Sequence, residues 1–267
     1  MRKIIGALVC LLCAGNLSLR GTGDNPSDVA FTSTFDQSTQ RYLRKLPEGE
    51  LPKPAVLLIA LHGHGSDRHQ FMNPSCDETR AALDMARSNR CIYVSPDYRA
   101  KTSWMGPAAE ADLVQIISDL KKQYQVSKTV LCGGSMGGTG ALTFAALHPE
   151  LIDGVVAMNG TANLVEYENF RDAIQASFGG TKRQVFQEYK KRSAEYWPER
   201  LTMPLAITLG GKDKSVPPDS ALRLGKVLQK LERPVKVIYR EEIGHTTRYK
   251  DAIEAFDFVF AALGRRL

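Results

Sequence analysis

Residues 129–147, TVLCGGSMGGTGALTFAAL, decide the fold of this chain. The stretch opens with apolar and β-branched residues typical of a buried strand and closes with an apolar helical segment, and glycines surround Ser135 between the two. Gly133, Ser135 and Gly137 form the pattern G-x-S-x-G in this strand-to-helix context. Because such a turn exposes a serine hydroxyl above the end of a parallel sheet, we predict that Ser135 is a nucleophile.

Strand-like and helical segments alternate on both sides of this stretch, which is typical of an α/β fold with a mostly parallel central sheet flanked by helices. A fully apolar run at 55–61 predicts a buried central strand. Residues 31–46 alternate like an antiparallel hairpin with a turn at 36–38. Further strands are predicted at 92–95, 129–132, 155–159, 205–209 and 235–239, and helices at 77–87, 108–124, 136–147, 217–231 and 249–263.

One connection is much longer than the others. Residues 161–203 separate the strand that ends near Asn159 from the strand that starts near Pro204, and they contain helical stretches of their own. Long connections inside a compact domain are usually functional. We predict that this excursion is a small cap insertion, or one wall of a binding cleft, within a single catalytic domain at 26–267.

A nucleophilic serine requires a general base, because its hydroxyl is unreactive at neutral pH. Of the five histidines, only His245 follows the last predicted strand, in a loop before the C-terminal helix. This places it after the serine and the acid in the chain, as such a triad requires. His148 ends the helix that follows Ser135, about 18 Å from its start. We therefore predict that His245 is the base.

The acid that orients the histidine is expected in the loop after the preceding strand. Asp213 lies in that loop and is our prediction. Asp219 is a rival, but two prolines place it in the first turn of a helix, where the helix dipole accounts for an acidic residue. Asp97 follows an earlier strand and is a third, more remote alternative.

The developing oxyanion requires preorganised N–H donors. We predict the backbone N–H of Met136, directly after the nucleophile, and that of His64, in the loop His62-Gly63-His64-Gly65 after the first apolar strand, with Gly63 as the alternative. The rings of His62 and His64 could converge on a metal ion, but no third ligand stands at a recognisable spacing. We predict neither a metal nor a cofactor.

The N-terminus has the pattern of a signal peptide. Arg2 and Lys3 precede an apolar run at 4–14, which is too short to span a bilayer. We predict that residues 1–25 are a signal peptide and flexible leader and that the protein is exported. The residues before Cys13 lack the small residue that a lipoprotein signal would have, so we predict no lipid anchor.

Composition narrows the possible partners. A chain that is 43% hydrophobic has enough apolar material for a sizeable core. The net charge of +6 is spread without a block of basic residues, and no later apolar run approaches membrane-spanning length. We predict no nucleic-acid partner and no stable membrane span, whereas nothing in the sequence indicates an oligomeric state.

Three cysteines follow the predicted leader. Cys76 and Cys91 flank a predicted helix about 18 Å long, whereas a disulfide needs Cα atoms within about 7 Å. Cys132 precedes the serine turn and is predicted to be buried. We expect three free thiols.

These motifs resemble those of α/β-hydrolase esterases, in the group of polyhydroxybutyrate-depolymerase-like and feruloyl-esterase-like enzymes, over residues 31–263. The resemblance rests on residues 40–43, 61–65, 133–138, 211–213 and 244–245. A second similarity, to the catalytic domain of prolyl-oligopeptidase-like enzymes, lies in residues 192–197, where Ala194 stands at the usual proline.

The triad and the resemblance together imply two-step hydrolysis of a small-molecule or polymer-linked ester. Trp104, Met105, Tyr167, Phe170 and Trp197 are candidates for lining the substrate pocket. Three alternatives remain at this point: a serine peptidase, an acyltransferase that excludes water, and a non-catalytic binding protein with the same fold.

Overall fold

The computed structural model describes residues 20–21 and 25–264. Its main feature is an eight-stranded sheet in the order β10-β9-β8-β7-β5-β6-β3-β2, beside a two-stranded pair of β1 and β4. The strands are β1 Arg20–Gly21, β2 Ser27–Thr32, β3 Thr39–Lys45, β4 Gly49–Glu50, β5 Ala55–Leu61, β6 Ile92–Pro96, β7 Val126–Gly134, β8 Gly154–Met158, β9 Leu205–Gly210 and β10 Val235–Arg240.

The sheet is mostly parallel. The six strands from β10 to β6 run parallel to one another, and only the β2–β3 hairpin runs antiparallel at one edge. All seven residues of β5 are buried, as expected of a central strand covered on both faces. The predicted α/β architecture is confirmed.

Helices cover both faces of this sheet. Alternate residues of β5 enter two separate cores: Leu57, Ile59 and Leu61 face one, and Val56, Leu58 and Ala60 face the other. Helices α2, α3 and α6 cover the first core, and α1 and α7 cover the second. The helices are α1 Asp77–Ser88, α2 Pro107–Tyr124, α3 Met136–Leu147, α4 Arg171–Phe178, α5 Phe186–Lys191, α6 Asp219–Lys230 and α7 Tyr249–Ala262.

The predicted boundaries hold within a few residues, with two differences. The hairpin begins at Ser27 rather than at residue 31, and β7 begins at Val126 rather than at 129. In both cases the extra residues mix polar and apolar side chains and are exposed or half-buried, so hydropathy does not mark them, and backbone pairing with the neighbouring strand extends the element.

The long connection at 161–203 contains α4, α5 and two short 3-10 turns, and a buried arginine anchors it. The Arg192 side chain is 1% exposed; its guanidinium donates to the Met105 carbonyl at 2.8 Å and to Glu110 at 2.6 Å. Such a buried ion pair, satisfied by several hydrogen bonds, fixes the long connection against the segment that contains Met105 and Glu110. The connection is therefore packed into the first core.

The predicted signal peptide and leader at 1–25 lie outside the described residues, apart from Asn25 and the backbone of Arg20–Gly21, which pairs with Gly49–Glu50. Within the described part of the chain, no helix has the length and apolar character to cross a membrane. Cys91 and Cys132 are buried and Cys76 is exposed, and within the described part of the chain none of the three forms a disulfide.

Candidate active site

Ser135 occupies a tight turn between β7 and α3. Its backbone angles, φ 57° and ψ −118°, lie in a region that L-residues rarely adopt. Glycines allow the turn to close: a Cβ on Gly137 would lie 2.0 Å from the Leu61 carbonyl oxygen, and one on Gly133 would lie 2.5 Å from the Gly137 carbonyl carbon. The strained serine is therefore held in place by backbone packing, as in a nucleophile turn.

Asp213 and His245 are joined directly. His245 Nδ1 lies 2.6 Å from Asp213 Oδ2, and the Asp213 side chain is 1% exposed. The other carboxylate oxygen accepts the backbone N–H groups of Ser215 and Val216, each at 2.9 Å. Since a carboxylate accepts, Nδ1 carries the proton and Nε2 is left as the basic nitrogen.

The loops that carry these two residues also pack closely against each other. A Cβ on Gly210, at the end of β9, would lie 2.1 Å from the Gly244 carbonyl oxygen. The backbone N–H of Lys212 donates to the Ile243 carbonyl at 2.8 Å. Gly210 therefore permits the close approach that brings Asp213 to His245.

A buried polar network, which our sequence analysis missed, holds the histidine loop. Thr247, two residues after His245, contacts Asn159 Nδ2 at 2.9 Å and Thr208 Oγ1 at 2.6 Å through its hydroxyl. Its backbone N–H donates to Glu78 Oε1 at 2.9 Å. The partners come from the end of β8, from β9 and from α1, which are remote in sequence, and no local motif marks them.

The same network leads back to the turn that carries Ser135. The backbone N–H of Ser135 donates to the Met158 carbonyl at 2.8 Å, and the next residue, Asn159, holds Thr247. The Ser135 side chain is partly exposed and forms no hydrogen bond with His245 or any other described residue. Asp213 and His245 are thus joined by a direct hydrogen bond, and the histidine loop is connected to the Ser135 backbone through Thr247, Asn159 and the Met158 carbonyl.

The predicted oxyanion donors differ in whether their backbone N–H groups already donate to another residue. The backbone N–H of Gly63, our alternative donor, is already bound to Gln70 Oε1 at 2.7 Å. Those of Met136 and His64 donate to no other residue in the described part of the chain. Met136 opens α3, where the first backbone N–H groups have no partner within the helix.

Three of the five predicted pocket residues lie together beside His64. Ring centroids are 4.4 Å apart for His64 and Phe170, 5.4 Å for Trp104 and Phe170, and 5.5 Å for Trp104 and Tyr167. Trp104 and Tyr167 are buried, and Phe170 is 38% exposed. We call His64, Trp104, Tyr167 and Phe170 the aromatic wall.

The structure does not bring the other two pocket candidates to this wall. Met105 is fully buried, and its methyl group lies close to Gly140 of α3. The Trp197 indole donates to the Lys190 carbonyl and stacks against Arg200. Sequence alone could not separate these two residues from the wall, because aromatic and apolar residues serve the core as readily as a pocket.

The rings of His62 and His64 have separate environments. His62 is buried, and its two nitrogens lie 2.9 Å from the Gly63 carbonyl and 3.2 Å from the Asp97 carbonyl. Burial lowers the pKa of His62, with those two carbonyls opposing the shift. Among the described residues, no group of three or more His, Cys, Asp or Glu side chains could hold a metal ion.

The rival acid positions have other partners. Asp97 pairs with Arg68 at 2.9 Å. Asp219 begins α6, as its position after two prolines predicts. His148, at the C-terminal end of α3, binds Glu110 at 2.9 Å.

Comparison with solved structures identifies other proteins with this fold. Solved structures with the same fold include a puromycin hydrolase (15% identity, TM-score 0.70, 91% of this chain and 40% of that chain). A Pyrococcus horikoshii acylaminoacyl peptidase matches at 15% identity and TM-score 0.69, over 91% of this chain and 42% of that one. The Staphylococcus aureus fluorophosphonate-binding serine hydrolase F matches at 17% identity and TM-score 0.69, over 89% of this chain and 99% of that one.

The mostly parallel sheet flanked by helices and the strand-to-helix turn at Ser135 have the arrangement of the α/β-hydrolase fold. The prolyl oligopeptidase family model matches residues 98–263, more than half of the chain. The chain therefore belongs to the prolyl oligopeptidase family. It spans about two fifths of the length of the first peptidases it resembles. No sequence among curated proteins matched it.

Proposed function

We propose that this protein hydrolyses carboxylic esters through an acyl-enzyme on Ser135, with His245 as general base and Asp213 as the acid that orients it. The observation that carries the proposal is the 2.6 Å hydrogen bond between His245 and Asp213, on a scaffold that holds Ser135 in the strained conformation of a nucleophile turn. A base held in one tautomer by a buried carboxylate is the arrangement that activates a serine hydroxyl.

The reaction proceeds in two steps. Ser135 Oγ attacks the ester carbonyl carbon as its proton passes to His245 Nε2, and the oxyanion accepts the backbone N–H groups of Met136 and His64. Collapse of this intermediate breaks the ester bond, and His245 returns the proton to the leaving alcohol. Water then attacks the acyl-enzyme by the same route. Loss of one oxyanion donor typically lowers kcat about 100- to 1000-fold.

The substrate group that contacts the aromatic wall is uncharged and apolar in this proposal. Burial lowers the pKa of His64, with no charged neighbour contributing, so the ring stays neutral. Trp104, Tyr167 and Phe170 supply the remaining contacts. An acyl or alcohol group of a small or polymer-linked ester fits this chemistry. We also propose that the protein is exported, on the basis of the signal-like sequence pattern within residues 1–25.

Esters and amides of one acyl group test the proposal. The p-nitrophenyl ester and the p-nitroanilide of a short acyl group share everything except the scissile bond. We expect turnover of the ester, none of the anilide, and loss of ester turnover in His245→Ala. A folded wild-type protein that turns over neither compound would contradict the proposal.

A serine peptidase is the second candidate. It is favoured by the family to which the chain belongs and by the acylaminoacyl peptidase and puromycin hydrolase among its structural neighbours. N-acylaminoacyl and aminoacyl p-nitroanilides test it directly. Turnover of either compound with kcat/KM equal to or above that of the ester would favour the peptidase.

A further inference from the structure

Trp104 contacts both predicted oxyanion donors. Its indole Nε1–H donates to His64 Nδ1 at 3.0 Å, and its backbone N–H donates to Met136 Sδ at 3.4 Å. His64 lies in the loop after β5, and Met136 opens α3 beside the nucleophile. Trp104 is therefore the residue of the aromatic wall that connects the two sides of the predicted oxyanion hole, through its indole on one side and its backbone on the other.

The indole contact fixes the state of the His64 ring. An indole nitrogen can only donate a hydrogen bond, so Nδ1 of His64 must hold a lone pair. The imidazole is then neutral and carries its proton on Nε2. Burial lowers the pKa of His64 and thus supports the neutral ring. The Phe170 ring, whose centroid lies 4.4 Å from that of the His64 ring, covers the imidazole and carries no charge.

Trp104 is itself firmly held. Its side chain is fully buried, and its backbone has a positive φ of 44°. The carbonyl of the next residue, Met105, accepts the buried Arg192 guanidinium at 2.8 Å. Such a position, with the ring enclosed and the backbone tied to the long connection, can impose its geometry on the more exposed His64.

We propose that Trp104 is a positioning residue for the oxyanion hole, which holds the His64 loop by its indole N–H and so aims the His64 backbone N–H at the developing negative charge. The inference rests on the proposed function and adds a residue to it. Loss of the indole N–H lets the loop move. A shift of about 1 Å in a preorganised donor is enough to lower the rate about 100-fold.

The kinetic test compares the two tryptophans of the chain. Trp104→Phe removes the indole N–H, and Trp197→Phe is the same change at a site away from the wall. We expect Trp104→Phe to lower kcat for a p-nitrophenyl ester about ten- to 100-fold with KM nearly unchanged, and Trp197→Phe to change kcat less than twofold. In a His64→Leu background, Trp104→Phe should have little further effect, because the acceptor is already gone.

A spectroscopic readout separates positioning from packing. The indole N–H region of a ¹H–¹⁵N spectrum contains two tryptophan signals, and Trp197→Phe assigns them. We expect the Trp104 signal to move as acid protonates His64, and to lose this pH dependence in His64→Leu.

The possible failures are distinguishable. Unchanged kcat in Trp104→Phe, with active wild-type protein, would overturn the positioning role alone. A Trp104 indole signal that does not shift as His64 is protonated would also overturn the positioning role alone. Inactive wild-type protein would overturn the proposed function and the positioning role together. If Trp104→Phe does not fold, His64→Leu alone, with Trp104 in place, must lower kcat by a similar factor for the inference to stand.

Discussion

The two loops that carry Ser135 and His245 are built by different means. The serine turn is held by backbone against backbone: at Gly133 and Gly137 there is no room for a single added carbon beside Leu61. The histidine loop is held by side chains, through Thr247, Asn159, Thr208 and Glu78. The serine turn therefore tolerates almost no change in shape, whereas the histidine loop depends on individual hydrogen bonds.

This difference explains why one loop can be recognised in the sequence and the other cannot. Steric closure requires glycines at fixed positions beside the serine, and they appear as a motif. A hydrogen-bond network requires only that partners meet in space, and Glu78 and Thr247 are 169 residues apart. The difference between the two loops also predicts different responses to mutation. A substitution that blocks the serine turn should lower stability and activity together, whereas a substitution in the network should cause a loss that depends on which hydrogen bond is removed.

The largest effect is expected at the serine turn. Gly137→Ala places a methyl group 2.0 Å from the Leu61 carbonyl oxygen. It should lower the free energy of unfolding by at least about 3 kcal/mol and abolish ester turnover. Gly134→Ala is the matched control, because no atom lies within 4 Å of its added carbon. Urea denaturation of the two variants compares them; equal stability would refute the steric account of the turn.

The Glu110 carboxylate contributes to the free energy of unfolding at a site remote from both loops. Burial raises its pKa, but the hydrogen bond with His148 and the charge of Arg192 outweigh this and lower the pKa from 4.5 to about 2. Because the folded pKa is lower than the unfolded value, this stabilisation is complete above about pH 4.5 and is lost as the pH falls towards 2.

Glu110→Gln should therefore lower the free energy of unfolding by about 2 kcal/mol at pH 7, and by less at pH 3. Urea denaturation at both pH values measures the change. Glu150→Gln, at a carboxylate whose side chain is 65% exposed, should have little effect at either pH. A difference from wild type that is equal at pH 7 and pH 3 would contradict the predicted pH dependence.

The histidine loop should respond more moderately. Thr247→Val keeps the shape but removes the hydroxyl that Asn159 Nδ2 and Thr208 Oγ1 contact, so that Asn159 Nδ2 keeps only its 3.4 Å hydrogen bond to Glu78 Oε1. We expect a loss of about 1–2 kcal/mol in unfolding free energy and about a tenfold fall in kcat. Thr246→Val, at the exposed neighbour, is the control. Equal kcat in both variants would show that the network does not position His245.

The smallest effect is expected at Glu78. Glu78→Gln keeps the oxygen that accepts the Thr247 N–H at 2.9 Å and removes only its charge. The unfolding free energy should fall by less than about 1 kcal/mol, whereas Glu78→Ala, which removes the acceptor, should approach Thr247→Val. Thermal denaturation of the three variants gives the ranking, and a reversed order would contradict it.

Much of the fold could be predicted from local patterns. Apolar strands, amphipathic helices and the G-x-S-x-G turn each depend on neighbouring residues, and the predicted elements match the structure closely. The pairing of Asp213 with His245 also followed from chain order, because parallel strands bring their carboxyl ends to one edge of the sheet.

The rest depends on contacts between distant segments. Nothing near Trp104 in the sequence indicates that its indole meets His64, 40 residues earlier. Trp197 has the same residue type but packs against Arg200 elsewhere. The Gly63 N–H lies in the right loop, yet the Gln70 side chain already occupies it. Such assignments need the three-dimensional arrangement of side chains.

Covalent labelling tests the central claim most directly. The full-length protein would be treated with a fluorophosphonate probe and the adduct mapped by peptide mass spectrometry, in wild type, Ser135→Ala and His245→Ala. We expect a single adduct on Ser135 in wild type, none in Ser135→Ala, and labelling slowed at least about 1000-fold in His245→Ala. An adduct on another residue, or undiminished labelling without His245, would contradict the assignment of the nucleophile and its base.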